Sequence, residues 1–103
     1  MISDVVDILA DIADERHRQD EKWGERHWPD GTHANYESDA NGARWICEHY
    51  AESGELTWAD ILNEEFREAR AETDWPELRK ELIQVAAVCV AWIEDGDQRG
   101  KAR

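Results

Sequence analysis

The residues with the clearest chemical potential are acids set at helical spacing. In Glu64-Glu65-Phe66-Arg67-Glu68, followed by Glu72, residues three, four and seven apart share one side of a helix, so four carboxylates crowd one flank. On a helical wheel at about 100° per residue, Ile61, Trp58, Leu62, Ala69 and Phe66 form one apolar arc, and Glu65 falls inside it. An ionised carboxylate turned toward an apolar interior is costly unless it is paired, hydrogen-bonded or bound to a metal. The spacing therefore predicts a cation at this flank. After Glu68 come twelve residues, then Glu81 and, one turn later, Gln84, the one polar side chain in the run Leu82 to Ile93. Glu81 shares a wheel side with Val85, Val88 and Trp92, and both Glu81 and Gln84 are expected to need partners indoors. Glu65, Glu68, Glu81 and Gln84 then offer converging oxygen donors, and hard oxygen ligands without a Cys and His pair at soft-metal spacing favour Mg²⁺ or Mn²⁺ over Zn²⁺. Mg²⁺ completes its shell with water and phosphate oxygens, which makes a polyphosphate the natural ligand of such a site.

Helices are the elements that can bring these groups together. Only two prolines occur, Ala, Glu, Leu and Arg are frequent, and no stretch alternates apolar and polar residues, so the predicted fold is all-α with four helices in one compact domain. Ser3 is a candidate N-cap, and Val5, Ile8, Leu9 and Ile12 form a stripe expected to be buried on a first helix from about residue 4 to about 21. Gly24, Pro29, Asp30 and Gly31 mark a long connection, of the kind that is usually functional or mobile. A second helix from about Tyr36 to Glu52 would bury Ala40, Ala43, Ile46, Cys47 and Tyr50 and stop at Gly54 in a left-handed conformation. Thr57 with Asp60 makes a capping box for a third helix reaching about Glu72. Asp74, Pro76 and Glu77 start a fourth that runs to about Glu94, where Gly96 and Gly100 end it in a polar tail of residues 96–103. A short connection between helices three and four makes them antiparallel neighbours, which can set Glu65 and Glu68 opposite Glu81 and Gln84.

In these blocks the chain resembles the MazG-like nucleotide pyrophosphohydrolases of the all-α NTP pyrophosphatase superfamily. Glu64-Glu65-Phe66-Arg67-Glu68 and then Glu81-Leu82-Ile83-Gln84 look like that family's EExxE…ExxD signature. Glu15-Arg16-His17-Arg18-Gln19-Asp20-Glu21-Lys22-Trp23-Gly24 is similar to the ER-x-RQ-xx-KWG opening of its small members, and the likeness spans residues 12–95. The resemblance implies Mg²⁺-dependent hydrolysis of a nucleoside triphosphate, expected to be a deoxynucleotide or non-standard nucleotide, to the monophosphate and pyrophosphate. By position, Glu65, Glu68 and Glu81 would be metal ligands and Glu64 would orient or deprotonate the attacking water. Arg16, Gln19 and Lys22 would meet the substrate, with Trp23 as a base-stacking wall. Gln84 departs from the signature Asp: its amide oxygen can still ligate, but the site loses one negative charge, which should weaken binding of a second metal.

Plainer readings stand beside these. The acids of the third helix could form a solvated face with Arg67 and Arg70 as partners, Glu81 could pair with Arg79 or Arg44, and Gln84 could make an interhelical hydrogen bond. Lys22 could be a surface cation and Trp23 plain core. His17, His27 and His33 lack metal-ligand spacing, and Cys47 and Cys89 read as reduced core thiols.

Composition bounds the whole. The chain has 103 residues, with 25 Asp and Glu against 12 Lys and Arg for a net charge of -13, which disfavours nucleic acid as a partner. At 41% hydrophobic with six Trp it carries too much buriable surface for a disordered acidic tail. No signal peptide or membrane span is evident, so a cytoplasmic location without a membrane partner is expected. Leu82 to Ile93 is apolar nearly all round and must be central or covered by another subunit; with the superfamily resemblance, this predicts a homodimer or homotetramer. The rival from another class is a non-enzymatic acidic helical binding protein, a nucleic-acid mimic or regulatory partner, whose acids should scatter outward.

Overall fold

The computed structural model describes residues 4–100. Among them are four α-helices and one 3₁₀ turn, with no strand: α1 (Val5–Trp23), η1 (Ala34–Tyr36), α2 (Glu37–Ser53), α3 (Trp58–Ala71) and α4 (Trp75–Gln98). No described helix is long and apolar enough to cross a membrane. The described residues form two compact units, one of residues 4–30 and 90–100 and the other Gly31–Cys89, with α4 contributing to both.

In the first unit, α1 begins where Asp4 Oδ1 accepts from the Asp7 amide at 2.9 Å; the expected cap, Ser3, lies outside the described residues. Gly24, at φ 69°, closes the helix, its N–H donating to Asp20 O. Of the stripe expected to be buried, only Ile8 is; Val5, Leu9 and Ile12 stay 42%, 50% and 38% exposed. Periodicity identifies the face a helix can bury and does not say how much apolar partner surface one chain supplies. The end of α4 also corrects the sequence reading. The helix continues past Glu94 to Gln98, so Gly96 lies inside it and is not its stop. One helical glycine costs only about 1 kcal/mol relative to Ala, and the Arg99 to Asp95 ion pair at 2.9 Å supports the last turn.

In the second unit α2 packs on α3, and η1 packs on both. The buried positions are small: Ala40, Ala43 and Cys47 of α2 and Ala69 of α3, with Leu78 from α4. Small side chains let helix axes approach closely, which shortens the distance between polar groups flanking the contact. Ile46, expected in this core, is instead 38% exposed. Thr57 and Asp60 form the expected capping box at the start of α3, each backbone N–H meeting the other's side-chain oxygen at 3.2 Å. Gly54 ends α2 in the left-handed region at φ 78°, with its N–H on Tyr50 O. At the other end of α3, the His33 amide donates to Arg70 O at 3.0 Å, so the segment before η1 satisfies a carbonyl the helix leaves open. Within α4, Leu82 and Ile83 are exposed, and so is Gln84, contrary to the expectation that it sits indoors.

Candidate metal centre

Three carboxylates converge where α3 meets the first half of α4. One oxygen from each of Glu65, Glu68 and Glu81 lies within 4.8 Å of the others. Glu65 and Glu68 share a side of α3 because they are three residues apart, and the connection 72–74 returns the chain so that Glu81 reaches them. The Oε2 atoms of Glu65 and Glu81 are buried and have no hydrogen-bond partner. A buried acceptor left unmatched is unfavourable, and an ionised one more so.

The electrostatics follow from that crowding. Burial first, then the negative charges of Glu68, Glu64 and Glu81, push the Glu65 carboxyl above the ordinary carboxylate range. Burial likewise raises Glu81, followed by the charges of Glu68, Glu72 and Glu77, against which Arg44 pulls it down. Glu64 is raised by burial and then by Glu68, and lowered in part by a hydrogen bond with Cys47 and by Arg44. The Cys47 Sγ lies 3.2 Å from Asp60 O, and burial followed by the Glu64 charge pushes its thiol up to about 11. Cys47 is thus a neutral core thiol behind Glu64, as its place in the apolar pattern of α2 implies.

A base from α2 stands at the edge of this group. Arg44 Nη2 donates to Glu68 Oε1 at 3.1 Å and Nη1 donates to Asn41 Oδ1 at 2.9 Å. Arg44, Asn41 and Glu37 recur at three- and four-residue intervals along α2 and, with Glu68, Glu72 and Glu81, line a cleft of about 270 Å³. The two bases of α3 itself, Arg67 and Arg70, have other partners. Arg67 donates to Asn63 Oδ1 at 3.3 Å, and the Arg70 guanidinium lies 3.8 Å from the Tyr36 ring centroid. Hard anionic oxygens, two of them buried and unpartnered, fit a divalent cation that prefers oxygen ligands.

The predicted residues divide accordingly. Glu65, Glu68 and Glu81 come together, with Glu64 adjacent in sequence and electrostatically coupled to Glu65. Gln84 is one turn along α4 from Glu81 and exposed, and the three carboxylates converge without it. Arg16, Gln19, Lys22 and Trp23 belong to the first unit, on α1, and are exposed. There Arg16 donates to Gln19 Oε1 at 2.8 Å and pairs with Asp20 at 2.9 Å, while Lys22 Nζ sits 4.7 Å from the Trp23 ring centroid. Trp23 is therefore not core. Arg16 also borders a cavity of about 510 Å³ with Arg26 and His27. Sequence reasoning missed Asn41 and Glu37 and considered Arg44 only as a partner of Glu81. The available signal was the polar stripe Glu37, Asn41, Arg44 beside the small residues Ala40 and Ala43. Compared with protein-family models, curated proteins and solved structures, the chain matches none.

Proposed function

We propose that this chain is a Mg²⁺-dependent nucleoside triphosphate pyrophosphohydrolase, acting on a deoxynucleotide or non-standard nucleotide and releasing the monophosphate and pyrophosphate. The observation that carries the reading is the pair of buried, unpartnered oxygens on Glu65 and Glu81, converging with Glu68. An acidic binding protein has no need to turn carboxylates inward, whereas a metal site does. Glu65, Glu68 and Glu81 would hold Mg²⁺, with Mn²⁺ as a substitute and Gln84 as a further oxygen donor one turn away. Bound there, the metal would lower the pKa of water and neutralise charge growing on the phosphoryl oxygens.

The chain's own groups would supply orientation and proton transfer. Glu64, whose carboxyl burial and the Glu68 charge raise above the ordinary carboxylate range, would accept a proton from the attacking water. That water oxygen forms a bond to the α-phosphorus as the α–β bridging P–O bond breaks, and pyrophosphate leaves. Arg16, Gln19, Lys22 and Trp23 are carried in this reading by the likeness of their segment to the family opening, as contacts for phosphate and base. The exposed Leu82 and Ile83 on α4 support assembly into a homodimer or homotetramer, and a cytoplasmic location accords with reduced Cys47 and Cys89. Pyrophosphate release from a panel of triphosphates with Mg²⁺, compared with a Glu65→Gln/Glu68→Gln double variant, tests the function. Release by the wild type and loss in the variant are expected; equal release by both, or none by either, removes the enzyme reading.

A further inference from the structure

Arg44 holds an unusual post, a base beside a group of acids suited to hold a cation. Its guanidinium takes Glu68 Oε1 at 3.1 Å, whereas Glu65 and Glu81 each keep a buried oxygen without a partner. The pair is not sealed: the Arg44 side chain is 46% exposed against 20% for Glu68. Arg44 is also the one base among the residues lining the cleft, whose other charged walls are Glu37, Glu68, Glu72 and Glu81. Two consequences follow from charge alone. A divalent cation approaching the three carboxylates must compete with the guanidinium for Glu68. A polyphosphate entering so acidic a cleft needs positive charge beyond the metal's, and the guanidinium fork matches phosphate oxygens as well as it matches a carboxylate.

We infer that Arg44 is an exchangeable counter-cation, holding Glu68 while no metal is bound and turning to phosphate oxygens when a metal takes that carboxylate. Asn41, which accepts from Nη1 at 2.9 Å, is the positioning residue that keeps the guanidinium at the cleft during the exchange. The inference rests on the metal-dependent polyphosphate reading of the same site, so its test must separate the two.

Calorimetric titration of the folded proteins does so, first with Mg²⁺ alone and then with inorganic tripolyphosphate at saturating Mg²⁺. Removing a unit charge next to the site in Arg44→Gln should tighten Mg²⁺ binding about 3- to 10-fold. The same variant should bind tripolyphosphate at least about 10-fold more weakly. Arg44→Lys, which keeps the charge and loses the fork, should hold Mg²⁺ within about twofold of wild type while still losing part of the tripolyphosphate affinity. Opposite signs for the two ligands are not expected of a purely structural brace. Unchanged or weaker Mg²⁺ binding in folded Arg44→Gln, or unchanged tripolyphosphate affinity, overturns the inference and leaves the metal site standing. Absence of Mg²⁺ binding by the wild type overturns the metal reading and the inference with it.

Discussion

Glu65 is a residue whose charge works against the fold that carries it. It sits among Glu64, Glu68 and Glu81 with one oxygen buried and unpartnered, so its neutral amide isostere should relieve both burial and like-charge repulsion. Glu65→Gln is therefore expected to stabilise the metal-free protein by about 0.5–1.5 kcal/mol, a rise of several degrees in Tm for a domain of this size. The same variant should lose the stabilisation that millimolar Mg²⁺ gives the wild type, and thermal melts with and without chelator read both effects. A lower melting temperature for metal-free Glu65→Gln would count against the strained-acid account. The pH dependence has a definite sign. Glu64, Glu65 and Glu81 are all raised in the fold, so the folded state binds more protons than the unfolded chain across the window above the ordinary carboxylate range. Their contribution is fully present below the unfolded values and is lost as pH rises through the folded ones. The metal-free protein should thus melt at progressively lower temperature as pH rises above the ordinary carboxylate range, and Glu65→Gln/Glu81→Gln should flatten that slope. An unchanged slope in the double variant would assign the dependence to the general excess of negative charge.

At the scale of the elements, local signals were the most legible. Thr57 with Asp60, Gly54 and Pro76 each punctuate a helix as their chemistry requires, because caps and left-handed stops depend on neighbours only a few residues away. Thr57→Ala should cost about 1 kcal/mol by freeing the Asp60 amide, seen as a lower urea midpoint at unchanged slope; no shift would mean the start of α3 does not limit stability. The misreadings lie where local pattern competes with long-range context. Gly96 suggested a stop, yet a single glycine is too weak to end a helix whose last turn is braced by Arg99 and Asp95. Gln84 suggested burial because its neighbours are apolar, but Leu82 and Ile83 beside it are exposed as well. The convergence of Glu65, Glu68 and Glu81 was legible because helical spacing and a short connection fix it together. Arg44 and Asn41 were not: their stripe becomes part of a cleft only once α2 packs on α3, and no spacing within α2 declares that neighbour.

For the molecule as a whole, the sequence spoke clearly on class and less clearly on burial. A chain with 36% charged residues and a net charge of -13 has little apolar surface to spare, yet Val6, Leu9, Trp28, Trp45 and Ile83 are all at least half exposed. Such exposure is more than scattered surface apolars require and accords with a second copy covering part of it. Light scattering after gel filtration is expected to give a dimer or tetramer at micromolar concentration, and Ile83→Glu to shift the mass toward one chain; a monodisperse wild-type monomer would contradict the assembly. The central claim is that inward-facing acids from α3 and α4 bind one class of ligand, a hard divalent cation. Its most direct measurement is a Mn²⁺ titration followed by water-proton relaxation on wild type and on Glu65→Gln/Glu81→Gln, each verified as folded. Saturable enhancement in the wild type that Mg²⁺ displaces, and its loss in the variant, is the predicted result. Equal enhancement in both proteins, or none in the wild type, would contradict it.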